Sequence, residues 1–162
     1  MKEILKMFGG EFEIKVYKDQ SDYEKDIVQS YSKVHNKMTT VSLAVISGLV
    51  GNTGSQNAFI YLELGTSSTA VSSGHTALQA AITDTGLARA AATVSRITIN
   101  QTNDTLQLTY AWTATGSKTI EEVGVFNASS SGVMLCRALT SSHSIVNGTV
   151  FTITYKWTVV GN

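Results

Sequence analysis

The chain has 162 residues, 43% of them hydrophobic, which suits one compact domain with a real core and appendages. Its formal net charge is zero and only 15% of residues are charged, so it has no global field to hold a polyanion, and nucleic acid is excluded as a main partner. The single cysteine, Cys136, rules out an intrachain disulfide and, within the run VMLCRAL, reads as a small buried hydrophobe.

No apolar segment of the secretory type follows Met1, and the longest apolar-leaning run, residues 41–50, is too short to cross a bilayer. The expectation is a soluble chain, made in a cytoplasm, with no membrane contact. Charge is unevenly spread. Residues 1–38 hold seven lysines and seven acidic residues, fourteen of the chain's twenty-four charges. This asymmetry predicts a charged N-terminal arm or helical segment over residues 1–38 and a β-sandwich domain over residues 39–162.

Within the arm, Ile4, Leu5 and Phe8 are spaced for one face of a short helix that Gly9-Gly10 would stop. Phe12, Ile14 and Val16 then alternate with Glu13, Lys15 and Tyr17, the pattern of a half-buried strand. Ser21 followed by Glu24 is a capping-box signature. It predicts a helix with Tyr23, Ile27, Tyr31 and Val34 on one side and Lys25, Asp26, Gln29 and Lys33 on the other. Such a segment either lies on its own domain or docks on a neighbouring subunit.

Thr39 or Thr40 is placed to cap a second helix over residues 41–50, with Leu43, Ile46, Leu49 and Val50 as its apolar face and Gly51-Asn52 as its stop. The loop GNTGSQNA lacks both GxxxxGK[ST] and any basic residue, so it is no phosphate cradle. A short strand, residues 59–64, ends at Gly65. A polar loop, TSSTAVSSGHT, leads through Leu78 and Ile82 to Arg89.

Strands dominate from Ala91 onward. Residues 94–100 and the alternating Leu106, Leu108, Tyr110 and Trp112 predict a hairpin about the turn at Gln101–Asp104. IEEVGVFN is the next strand, where Gly124 signals a bulge or a close backbone contact. Residues 133–139 form another strand, and residues 141–148 a loop. Phe151, Ile153, Tyr155, Trp157 and Val159 mark a final alternating strand. Both tryptophans fall on apolar strand faces and read as core. The spacing predicts a mainly β fold: an antiparallel, jelly-roll-like sandwich with an N-terminal strand and one or two short helices.

A search for chemistry finds little. His35, His75 and His143 have no partner at metal-ligand spacing. His75 and Asp84 share one loop region and form the best candidate for a catalytic or metal-binding pair. Glu121 and Glu122 are adjacent, so in a strand they face opposite ways and cannot flank one glycosidic bond. No serine lies in GxSxG, and Arg89 and Arg96 build no basic stripe. Sequons at Asn100, Asn103, Asn127 and Asn147 matter only in a host that glycosylates them. No catalytic, cofactor-binding or metal-binding residue is therefore assigned, and no enzyme activity is expected.

The runs FIYLELGTSSTAVSSGHTALQAAI, IEEVGVFNASSSGVMLCRAL and VNGTVFTITYKWTV together resemble a family of small β-sandwich structural proteins of tailed phages and related viruses. The elements that carry the resemblance are Leu49-Val50-Gly51, Leu64-Gly65-Thr66, Leu78, Arg89, Glu122-Val123-Gly124-Val125-Phe126-Asn127 and the last alternating strand. The likeness covers about residues 39–160, and the chain departs from it in having no proline. It implies a virion building block from a tail, fibre or capsid surface, with no catalytic residues to carry over. The expected role is a self-assembling subunit, either a capsid decoration protein or a tail or baseplate subunit, with other virion proteins as partners. Three-fold assembly is expected by analogy with viral sandwich proteins. The alternative is a carbohydrate- or receptor-binding module of a tail fibre, using loops such as residues 67–76 or 141–148.

Overall fold

The structure, a computed structural model, describes residues 8–159. Ten strands and two short helices alternate along it: β1 (Phe8–Tyr17), α1 (Gln20–Glu24), β2 (Ser30–His35), β3 (Lys37–Met38), α2 (Ser42–Gly51), β4 (Tyr61–Gly65), β5 (Ala90–Ala91), β6 (Thr93–Ile97), β7 (Thr105–Thr113), β8 (Lys118–Phe126), β9 (Met134–Ile145) and β10 (Val150–Val159). They form two antiparallel five-stranded sheets, ordered β2-β1-β10-β7-β6 and β3-β9-β8-β4-β5. This is the mainly β sandwich that the alternation predicts.

The core lies between the sheets and is built by period-two patterning. Phe12, Ile14 and Val16 of β1, Leu108 and Trp112 of β7, and Phe151, Ile153 and Tyr155 of β10 face inward from the first sheet. Leu62 and Leu64 of β4, Ile120, Val123 and Val125 of β8, and Cys136 and Ala138 of β9 meet them from the second. Cys136 is fully buried beside the Tyr155 hydroxyl, and burial pushes its thiol pKa up to about 12. It is the small buried hydrophobe expected. Trp112 is core, and Trp157 packs at the core margin.

Several local readings are corrected. The helix expected at the N-terminus falls mostly outside the described residues, and Phe8 opens β1. Strand β1 runs through Gly9 and Gly10, and a Cβ at Gly10 would collide with the Tyr155 hydroxyl and the Asn36 side chain. The helix predicted from Ser21 is only five residues long and is capped by Asp19, whose Oδ1 accepts the Asp22 N–H at 3.0 Å. Asp26 ends that turn in the left-handed region (φ 53°), held there by the Tyr17 hydroxyl and Lys15. Tyr31 and Val34 therefore sit on β2, paired with β1. Tyr, Ile and Val satisfy a helical spacing, but they are also strong strand formers, and pairing with β1 decides the outcome.

Helix α2 lies where expected, one residue later, and Asn52 in the left-handed region closes it. Its packing differs from the reading: Ser42 and Val45 are buried, whereas Leu43 and Val50 point outward. Strand β9 continues to Ile145 through the stretch read as a loop. His143 and Ile145 are buried and alternate with exposed Ser142 and Ser144, a strand pattern masked by its serines.

Candidate functional site

The most elaborate side-chain arrangement lies on the outer face of the second sheet. Here residues 66–89 fold back as a clasp, with Leu78 and Arg89 over the sheet and Ile82 and Leu87 turned into the main core. Its entry is zipped to β4 by Thr66 N–H donating to Ala80 O at 2.9 Å and Ile82 N–H donating to Leu64 O at 2.9 Å. Its exit is fixed by the Trp112 indole, which donates to Ala88 O at 2.8 Å. Leu78 drops onto Phe126 and Met134 in a second small hydrophobic cluster, with Tyr61 beside it.

Two ion pairs lock this layer. Glu122 and Arg137 lie diagonally on neighbouring strands, both fully buried, and the Arg137 Nε donates to a Glu122 oxygen. Glu122 also accepts the backbone N–H groups of Gln79 at 3.1 Å and Ala80 at 2.7 Å. Arg89 forks onto Glu63, with Nε and Nη2 each 3.0 Å from a carboxylate oxygen. The same guanidinium lies 3.7 Å over the Phe126 ring centre and donates to the carbonyls of Ala128 and Ser131. Asn127 Oδ1 accepts the Val133 N–H at 2.7 Å and ties the β8–β9 turn. Between the pairs sits Gly124, whose missing Cβ leaves room for Leu78: an added Cβ would stand 2.9 Å from Leu78 Cδ2. The close backbone contact read from the sequence is thus real. Register shifts in β8 fall on either side of Gly124, between Ile120 and Glu122 and between Val125 and Phe126.

The arrangement holds a loop down; it exposes no reacting group. His75 and Asp84 are not brought together by their contacts. His75 Nδ1 receives the Ser72 N–H and faces Arg137 Nη1, each at 3.4 Å, while Asp84 pairs with Lys118. Among the described residues, no three His, Cys, Asp or Glu side chains form a group able to hold a metal ion.

A second cluster was not foreseen. His143, 3% exposed, bridges the sheets. Its Nδ1 lies 3.1 Å from Ser30 Oγ; its Nε2 lies 3.0 Å from Ser32 Oγ and 3.2 Å from Thr140 Oγ1. Burial lowers its pKa. A serine–histidine contact evokes nucleophilic catalysis, but hydroxyls occupy both ring nitrogens and, among the described residues, no carboxylate orients the ring, so the cluster as described lacks the parts of a triad. The only sequence signal for it was the His143/Ile145 alternation.

The surface also carries grooves, two of which bear on function. A shallow groove of about 390 Å³ on the first sheet is lined by Glu13, Lys15, Tyr23, Thr109, Tyr110 and Thr152, among others. An apolar groove of about 290 Å³ lies beside α2, bordered by Ile46, Leu49, Phe59, Val94 and Trp157.

No curated protein and no solved structure matches the chain. A family model does match, over residues 38–160, and its description is Podophage GP4 fiber I protein gp80. The matched span contains the whole clasp: Glu63, Arg89, and the Glu122 to Asn127 run that carried the likeness to phage structural proteins. With three quarters of its length inside that model, the chain belongs to the podophage fibre I protein gp80 family, a family of phage tail-fibre structural proteins and hence of virion components.

Proposed function

We propose that this protein is a non-enzymatic subunit of a podophage tail fibre that self-associates and attaches to other virion proteins. The observation that carries the reading is the family match over residues 38–160. Its fibre description supports the tail over capsid decoration. The buried clasp agrees with it, because its ionisable groups are spent on holding structure. Homo-oligomerisation, with three copies as the expected number, belongs to the same proposal.

The charge-rich residues up to 38 are proposed to supply the attachment surface. On the first sheet they present the ion pairs Lys15–Asp26 and Lys33–Glu11 along an edge that ends in β2. Edge strands with lysines and paired charges resist indiscriminate pairing yet remain open to a specific partner.

Immunogold electron microscopy of purified particles, with antibody raised to the recombinant chain, tests the placement. Label at the tail is expected. Label spread over the head would reassign the protein to capsid decoration, and absence of label from intact and disrupted particles would defeat the reading.

One observation favours a receptor-binding role as a second reading. The groove on the first sheet combines the half-exposed ring of Tyr23 with threonine hydroxyls, a carboxylate and an ammonium. That mixture suits a polyhydroxylated ligand, which offers apolar ring faces and many hydroxyls. A glycan array showing no retained sugar, or a Tyr23→Ala variant with unchanged retention, would remove this reading.

A further inference from the structure

The connection between β9 and β10 is the one place in the chain where an asparagine precedes a glycine, Asn147-Gly148. Every other asparagine with a successor is followed by a residue that carries a side chain. Residues 146–149 form a tight turn, closed by the Thr149 N–H, which donates to Val146 O at 3.0 Å. Gly148 takes the third position with φ 88°, as a type II turn requires. A Cβ built on it would meet nothing within 4 Å, so the space about its nitrogen is open.

The neighbouring carboxamide is equally open. Asn147 is exposed, and its side chain makes no hydrogen bond among the described residues, unlike Asn127, whose Oδ1 is held by the Val133 N–H. Attack of the Gly148 nitrogen on Asn147 Cγ closes a five-membered ring. The N–Cγ bond forms, the Cγ–Nδ2 bond breaks, and ammonia leaves with the proton that the Gly148 nitrogen gives up. Water then opens the cyclic imide. Addition at Cγ gives aspartate; addition at the backbone carbonyl gives isoaspartate. Nothing is oxidised or reduced.

The fold restrains the nucleophile. The Gly148 N–H donates to Ala114 O at 2.8 Å, and the Ala114 N–H donates to Thr149 O at 2.9 Å. The Val146 N–H is held by Thr149 Oγ1 at 3.2 Å. The nitrogen is released only when this turn opens locally.

We propose that Asn147 is a self-modification site, converted to aspartate and isoaspartate through a succinimide with Gly148 at a rate set by the opening of the turn. Each event adds one negative charge to a chain whose formal net charge is zero. The isoaspartyl form also inserts a methylene into the backbone and draws Gly148 out of register with Ala114. The mark is irreversible, so it records the age of each copy. It stands independently of the fibre reading.

The test incubates the full chain in warm, mildly alkaline buffer and follows the tryptic peptide of residues 138–156, whose only asparagine is Asn147. Mass spectrometry is expected to show a gain of one mass unit in this peptide before any other asparagine converts, and enzymatic methylation should detect isoaspartate in it. Conversion should be faster in urea than in the folded chain, and Asn147→Gln should abolish it. Thr149→Val removes the hydroxyl that holds Val146. It should speed both conversion and hydrogen exchange at the Gly148 amide roughly 5-fold, the usual worth of one hydrogen bond. A peptide that keeps its mass in the folded chain overturns the proposal, whatever the denatured control does. So does conversion of another asparagine ahead of Asn147. Equal rates in the folded and denatured chain, or a Thr149→Val variant that exchanges faster without converting faster, overturn control by the turn.

Discussion

Glu122 accepts two backbone N–H groups and one guanidinium N–H in a place closed to water. Replacing it by alanine strands the buried Arg137 charge, whose Nη2 already has no hydrogen-bond partner among the described residues. The expected loss is about 3–5 kcal/mol of unfolding free energy, read from urea titrations. A Glu122→Leu, Arg137→Met double variant should recover only part of it, because Gln79 and Ala80 N–H groups still lose their acceptor. His143 makes a separate prediction. Its folded pKa lies below the ordinary 6.5, with burial as the cause. Protonation therefore favours the unfolded chain: the stability from a neutral His143 is complete above about pH 6.5 and declines as pH falls below it. The urea midpoint should drop on acidification, and a His143→Gln variant should show a smaller drop over the same range. Asp104 adds a lower-pH step. The N–H groups of Gln101, Ile99 and Asn100 hold its carboxyl at about 2, so its contribution persists above the usual carboxylate range and fades only in strong acid.

At the scale of elements, residues 66–89 and strand β8 act as one unit. A Gly124→Ala methyl would meet Leu78 Cδ2 at 2.9 Å and Phe126 Cε2 at 3.1 Å, so the clasp must lift or the strand must shift. The expected cost is about 1–3 kcal/mol, and limited proteolysis should cut first within residues 66–77 of the variant while the strands stay protected. The elements were unequally legible. Strands β7 and β10 alternate cleanly between apolar and polar residues, and their pairing follows. Outer-face residues of β8 and β9 break that rule, because the clasp buries Glu122, Phe126 and Arg137 on the side that should meet water. Nothing local in a Ser/Thr-rich loop announces that it will cover a sheet. Strand β2 failed for the opposite reason: its aromatic and β-branched residues fit two periods, and only the partner strand chooses between them.

For the molecule as a whole, the spacing of alternating strands foretold the mainly β fold class, because that pattern repeats along most of the chain. Placement of the charged N-terminal residues was not legible, since β1 gains its place by pairing with residues more than a hundred positions away. That pairing has a consequence for synthesis. Strand β10 lies between β1 and β7, with Tyr17 opposite Val150. At about 5–20 residues per second, translation delivers Val150 on the order of 10 s after Tyr17. Until then the β1–β2 hairpin has a bare edge and the first sheet is split in two. Completion of the first sheet thus waits for β10, and until it is made β1 offers chaperones an open strand edge to hold.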